Sequence, residues 1–464
     1  MRYIFSSLQF FAIGISVLSC STPKEQTTGE TYVGEIIGAK RTVSIEITIN
    51  ADQKKATLNS SLGLSGMAVT LVQFNEDSLI FAIPSYNVSY RGKLSSDRKT
   101  ISGVWHQGVN SHDLSLILKE RSPLEKVALP STGFEEKEVT IEVNRDIRLA
   151  GTLTIPSGNS SYPAVILLGV AGKTDRDQSF GPFKPFKLIA ERLTKSGFVV
   201  LRCDDRGVGK SSGSLYESSY DDLIGDAQAM ISYLRQIPQI DSTKVGVLGI
   251  SEGAALGGIL AATSNTDFAI LLSYPALPGV KTIRQQIHNL SAIYNFTESQ
   301  EKLLISDFEV TSELILKSNN SKTLKDDIKK HLKNLNPAVK ELTQYLFIPQ
   351  DLEEASQLYC GAWYRSQLNY DPSLSLPKIS CPLLILYGSQ DPFVDPNSNI
   401  AQLKKELSSN SNTKIEIQIM DSINHIFQDA ATGSPFDYTN NNNAFSTKAL
   451  NKIEGWLIKN VISN

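Results

Sequence analysis

Val245-Gly246-Val247-Leu248-Gly249-Ile250-Ser251-Glu252-Gly253 is the stretch on which the reading of this chain turns. Val245 to Ile250 is apolar without polar alternation, the pattern of a strand buried on both faces. Glu252 to Thr263 behind it reads as a helix, so the serine stands at a strand-to-helix junction. Gly249-Ile250-Ser251-Glu252-Gly253 also matches G-x-S-x-G. Small flanking residues allow a sharp turn there, so that the serine projects from the sheet and the N–H after it points at a reacting carbonyl. Gly209-Lys210-Ser211-Ser212-Gly213 fits the same pattern. It follows its strand by several charged residues and runs into a Ser-rich loop, so it lacks the context. A phosphate-loop reading of Gly207 to Ser211 fails too, because Asp204 stands where that motif requires glycine.

The same grammar extends on both sides of the serine. Pro163 to Leu168, Phe198 to Leu201 and Phe268 to Leu272 are further continuous apolar runs, with helical stretches at Phe186 to Ser196 and Leu223 to Gln236. Such strands separated by helices imply a doubly wound, mostly parallel sheet covered on both faces, an α/β core. The alternation stops after Pro275. Ala276 to Ile379 reads as a helical insertion over one sheet edge, a lid. Strand grammar resumes at Pro382 to Tyr387 and Lys414 to Met420, and Ala444 to Ile458 closes the chain as a helix. On the amino-terminal side, Thr31 to Leu118 shows short alternating runs such as Val43-Ile45-Ile47-Ile49, which predict a small antiparallel β domain, sandwich or barrel. The expected division is a β domain over 31–120, a linker over 121–136 containing Pro123, Pro130 and Gly133, and the α/β body over 137–464 with its lid at about 276–379.

A serine hydroxyl is a weak nucleophile and needs a base, itself oriented by a third group. Five histidines are present: His106 and His112 in the β domain, His288 and His331 in the insertion, and His425 just beyond the Lys414–Met420 strand. His425 is therefore the candidate base. Tyr387-Gly388-Ser389-Gln390-Asp391 places a carboxylate beyond a core strand, where open α/β sheets carry functional residues. Asp391 is the candidate orienting acid, with Asp395 and Asp421 as rivals. The backbone N–H of Glu252 is one expected oxyanion donor. The second is expected from Gly169-Val170-Ala171-Gly172-Lys173, at Val170 or Ala171.

Composition narrows the partners. With 45 basic and 48 acidic residues in 464, the net charge is −3, leaving no basic excess for nucleic acid. The cysteines, Cys20, Cys203, Cys360 and Cys381, show no C-x-x-C pair or zinc spacing, so no structural metal is expected. Met1-Arg2 followed by a broken apolar run to Leu18 reads as a signal peptide over 1–19. Val17-Leu18-Ser19-Cys20 resembles a bacterial lipobox. Cys20 would then be lipidated, with 20–30 a tether holding an exported enzyme to a membrane. The sequence says nothing of oligomeric state.

Four motifs in order resemble those of the bacterial α/β-hydrolase carboxylesterases. Gly169 to Asp177 is similar to H-G-S-G-P-Q-D-R-D, Cys203 to Ser211 to Y-D-x-R-G-V-G-K-S, Gly249 to Ala254 to G-H-S-E-G-G, and Asn424 to Gln428 to N-H-L-F-Q. Trp363-Tyr364-Arg365, Tyr370-Asp371-Pro372 and Lys99 to Trp105 also look like segments of that family's two-domain members. The resemblance implies hydrolysis of a small carboxylic ester through an acyl-enzyme on a Ser-Asp-His triad, without metal or organic cofactor. Two family histidines are replaced, by Gly169 and Ile250, and neither is a triad position. A prolyl-oligopeptidase-like peptidase, a thioesterase or an acyltransferase could use the same triad, and a non-enzymatic envelope-binding lipoprotein is a further alternative.

Overall fold

The computed structural model describes residues 30–463 except 38–41, 51–54, 61–66, 76, 84–87, 108–109, 119–132, 159–160, 264, 319–320, 413 and 439–443. The chain divides into two compact units. The first is a closed antiparallel barrel of β1 (Glu30–Ile37), β2 (Thr42–Asn50), β3 (Lys55–Ser60), β4 (Met67–Phe74), β5 (Ser78–Ile83), β6 (Val88–Leu94), β7 (Thr100–Gln107) and β8 (Asn110–Leu118). β8 returns to pair with β1, Gly34 facing Leu116, so no sheet edge is left open. Alternation is clean in β6, where Val88, Tyr90, Gly92 and Leu94 point inward and the residues between them outward. Tyr32, Ile47, Leu58, Phe81, Tyr90 and Trp105 fill the interior. The Tyr90 hydroxyl lies 3.1 and 3.0 Å from the carbonyls of Ile101 and Leu114, so its burial costs no hydrogen bond.

The second unit is built on an eight-stranded sheet. Its strands are β9 (Phe134–Glu142), β10 (Arg148–Pro156), β11 (Tyr162–Leu168), β12 (Val199–Cys203), β13 (Ile240–Ile250), β14 (Ala269–Leu272), β15 (Leu383–Gln390) and β16 (Ile415–Asn424). The order across the sheet is β16-β15-β14-β13-β11-β12-β10-β9. From β12 to β16 every pairing is parallel, while β10 joins β12 and β9 antiparallel. Successive side chains of each central strand serve opposite faces. Ala164, Ile166, Val247 and Leu271 pack against α2 (Tyr220–Arg235), α3 (Glu252–Ala262) and α10 (Pro396–Glu406). Val165, Leu167, Leu248 and Ile270 pack against α1 (Pro185–Lys195) and α11 (Thr447–Leu457). Each such side chain contributes about 1.5–3 kcal/mol on leaving water. The absence of polar alternation thus follows from a sheet with no wet face.

Two features differ from the sequence reading. β9 begins at Phe134, inside the stretch read as linker, because it is a solvent-facing edge strand whose mostly exposed residues, Glu135 to Glu138 among them, show no apolar pattern. Its nine-residue register with β10 fixes it instead. α2 starts at Tyr220 rather than Leu223, since Ser219 and Asp222 form a reciprocal capping box that satisfies the first N–H groups.

Between β14 and β15 lies a helical layer: α4 (Gly279–Ile293), α5 (Glu298–Lys317), α6 (Ser321–Lys333), α7 (Pro337–Thr343), α8 (Leu352–Cys360) and α9 (Ala362–Asn369). It has its own core, including Ile287, Leu304, Ile315, Ile328 and Trp363. Leu215 and Tyr216, from the loop ahead of α2, dock into that core and join it to the sheet.

Candidate active site

Ser251 sits between the end of β13 and the start of α3 with φ 58° and ψ −112°, a conformation side chains rarely adopt. The flanking glycines make it possible. A Cβ at Gly249 would lie 2.1 Å from the Gly253 carbonyl oxygen, and one at Gly253 would lie 2.1 Å from that of Leu168. The turn is therefore too tight for any side chain at either position. It is pinned by Ser251 N–H donating to Leu272 O and Gly253 N–H donating to Gly169 O.

Asp391 follows β15 and His425 follows β16, neighbouring strands whose ends bring residues 34 positions apart together. His425 Nδ1 is 2.9 Å from both Asp391 oxygens. Asp391 Oδ1 also accepts the N–H groups of Phe393 and Val394, each at 2.9 Å. The carboxylate is fully buried and the imidazole nearly so, with the Phe393 ring 4.8 Å from the His425 ring. These bonds orient the ring and fix Nδ1 toward the acid. Nε2 is the nitrogen left to serve as a base. Ser251 and His425 line one cavity of about 430 Å³. No hydrogen bond joins them, and such looseness is common before substrate closes the site.

Of the rival acids, Asp395 caps α10 by accepting Ser398 N–H, and Asp421 lies near the Ser389 hydroxyl at 3.4 Å. Neither bonds to His425. His288 and His331 pair with Glu301 and Asp307 in the helical layer, and His106 with Ser111 in the barrel.

The oxyanion donors separate on inspection. Glu252 N–H, at the first position of α3, has no partner among the described residues, and neither has Ala171 N–H. Val170 N–H donates to Gln178 Oε1 at 2.7 Å, so of the two candidate loop amides the one at Ala171 is the one without a partner among the described residues. The Gln178 side chain is packed beside Gly169, where a Cβ would meet its Oε1 at 2.1 Å. A side chain at Gly169 would displace the Gln178 amide from this position. The rest of the loop is fastened from below: Thr174 N–H and hydroxyl both donate to Asp205 Oδ2 at 2.7 Å, and Arg176 N–H and side chain donate to Asp204.

Sequence reasoning missed Gln178, Asp205 and the carboxyl of Glu252. The Glu252 side chain is buried and accepts a hydrogen bond from Gln367 of α9 at 3.0 Å, tying the nucleophile turn to the helical layer. Burial pushes its pKa up. Burial also raises Asp205 to about 7, against the Thr174 hydrogen bonds and with the nearby charges of Glu252 and Asp204 adding to the rise. Glu252 and Asp205 lie inside the quoted motifs and Gln178 just beyond one, but the motifs do not reveal which groups their side chains meet. Cys20 lies outside the described residues. No group of three His, Cys, Asp or Glu side chains among the described residues is placed to hold a metal ion.

The chain resembles known proteins over most of its length. The family model described as Hydrolase_4, serine aminopeptidase S33, matches residues 184–333. The esterase EstD of Thermotoga maritima is 26% identical over 375 residues, which cover 80% of this chain and 79% of that protein. Among solved structures, the Pyrococcus furiosus esterase Pf2001 aligns at 17% identity and a TM-score of 0.45, covering 71% of this chain and 93% of that one. Est1E of Butyrivibrio proteoclasticus, solved with ferulic acid bound, aligns at 15% identity and a TM-score of 0.42 over 70% of this chain and all of that one. The sheet order and the serine turn between strand and helix are those of the α/β-hydrolase fold, and the S33 model matches the third of the chain from 184 to 333.

Proposed function

We propose that the chain hydrolyses carboxylic esters through an acyl-enzyme formed on Ser251. The observation that carries this reading is a buried Asp391–His425 pair opening on the same cavity as a serine held at a strained turn. His425 Nε2 takes the proton of Ser251 Oγ as the oxygen attacks the ester carbonyl. Asp391 stabilises the imidazolium that results. The N–H groups of Glu252 and Ala171 hold the tetrahedral oxyanion, a contribution that grows where water is excluded. His425 then returns the proton to the leaving alcohol, and a water molecule activated by the same ring releases the acid. A mostly apolar cavity suits an uncharged ester. EstD, matched over four fifths of this chain, supports the same choice of substrate class.

The test is Ser251→Ala beside the unchanged protein on 4-nitrophenyl esters. Turnover falls by roughly four to six orders of magnitude, and labelling by a fluorophosphonate probe disappears. Activity retained after that change would refute the assignment. The S33 match raises a second reading, amide hydrolysis at a free amino terminus. Aminoacyl 4-nitroanilides in the same assay separate the two, and esters turn over faster if the first reading holds.

In the cell we propose an exported protein anchored through lipid on Cys20. Cys20→Ala then removes incorporation of labelled palmitate and releases the protein from the membrane fraction.

A further inference from the structure

The cavity above Ser251 is walled mainly by apolar groups of the helical layer, among them Ile287, Leu304, Phe308 and Leu358. Polar side chains interrupt that wall, and one group of them includes a carboxylate. Asp307 of α5, Tyr359 of α8 and Tyr364 of α9 all line the cavity. His331 Nε2 of α6 lies 2.7 Å from Asp307 Oδ1, leaving Oδ2 without a hydrogen-bond partner among the described residues. The two tyrosine rings meet edge to face with centroids 5.2 Å apart, and the residues are only 4% and 8% exposed. Neither phenol oxygen has a partner among the described residues. Burial, and after it neighbouring negative charge that includes Asp307 in both cases, raises the pKa of both phenols.

These oxygens face the cavity, where a ligand that displaces water has to replace the hydrogen bonds water gave them. In ligand cavities a few such groups are what fix orientation and specificity. Here the inventory is one carboxylate oxygen that accepts and two phenol O–H groups that donate. A hydroxyl matches it, since it can donate to the carboxylate and accept from a phenol. An ammonium group can donate to the carboxylate and to the phenol oxygens, but it leaves both phenol O–H donors without an acceptor, and Asp307 already faces His331. A carboxylate or phosphate would face Asp307 with like charge.

We propose that the cavity receives an acyl group that is apolar along its length and bears a hydroxyl toward its far end, bound between Asp307 Oδ2 and the phenols of Tyr359 and Tyr364. The substrates are then esters of hydroxylated fatty or aryl-alkyl acids. This rests on the ester-hydrolase reading. The three residues set specificity and take no part in the bond-breaking steps, and His331 is a positioning residue that holds Asp307.

The experiment compares 4-nitrophenyl ω-hydroxyalkanoates with unsubstituted alkanoates of the same length, from four to twelve carbons, on the full chain. At the best-matched length the hydroxy ester exceeds its alkanoate in kcat/KM by about tenfold, the worth of one well-placed hydrogen bond, chiefly through KM. Asp307→Leu abolishes that preference while alkanoate turnover persists. Tyr364→Phe removes a single oxygen and keeps the ring. It lowers the ratio of kcat/KM on the hydroxy ester to that on the alkanoate about threefold or more, so the proposal stays testable if the leucine variant fails to fold. Equal rates for both esters at every length, or a preference that survives Asp307→Leu, overturns the hydroxyl site and leaves the ester-hydrolase reading intact. A stronger preference for ω-amino esters overturns it in favour of a cation site. Absence of turnover on every ester overturns both readings.

Discussion

At the residue scale, Asp391 shows how the site is held. Its oxygens receive two backbone N–H groups and the imidazole, in a place that water does not reach. Asp391→Asn keeps the size of the side chain and removes the charge that stabilises the imidazolium, and it favours the wrong tautomer of His425. We expect kcat to fall by about 10⁴ with KM changed little, as measured by steady-state assay on a short-chain nitrophenyl ester. Gln178 is the other residue-scale case. Its Oε1 occupies the Val170 amide and braces the loop that presents Ala171. Gln178→Ala should lower kcat by roughly one to two orders of magnitude, less than the loss of an oxyanion donor itself, while fluorophosphonate labelling persists at a reduced rate.

At the element scale, the turn between β13 and α3 is a fit between backbones. Gly253 packs against the Leu168 and Gly169 carbonyls, so helix α3 approaches the end of β11 as closely as two chains can. Gly253→Ala has no room to relax except by moving α3 or β11. A loss of about 3 kcal/mol in denaturant unfolding is expected, together with loss of turnover, because the N–H of Glu252 moves with the helix. The Ser219–Asp222 capping box and the edge strand β9 are lesser cases of the same rule. Their positions are set by hydrogen bonds that an apolar pattern does not reveal.

At the scale of the whole molecule, buried carboxyls divide into two classes with opposite pH dependence. Asp205, Asp226 and Glu252 are all raised, with burial the leading cause in each. The folded state binds their protons more tightly than the unfolded chain does. Their contribution to stability is fully present below the ordinary carboxyl range and is lost as pH rises through the folded value, about 7 for Asp205. For Asp204 and Asp177 burial also pushes upward, but the bonds from Arg176 and Arg202 outweigh it and both end lowered. Their contribution is present above the ordinary range and is lost in acid. Denaturant midpoints should therefore decline between about pH 5 and 8 as well as below pH 4. In Asp205→Asn the decline on the alkaline side becomes shallower, and a slope unchanged by that substitution would count against the assignment.

The sequence by itself determined the strand and helix grammar of the α/β body, the serine turn, and the chain order of serine, acid and base. These are local signals: apolar runs, glycines at fixed offsets, and a histidine inventory of five. The tertiary structure alone decided which carboxylate meets His425, since Asp391, Asp395 and Asp421 lie near the same strand ends and only one of them points at the ring. It also decided that Val170 is occupied, because the bond from Gln178 depends on how the loop folds back on itself. The placement of Asp307, Tyr359 and Tyr364 in one wall belongs to the same class. Three helices converge there, and no spacing in the sequence encodes that convergence. Short-range sterics and burial periodicity are written along the chain, whereas hydrogen bonds between distant side chains exist only once the layers have packed.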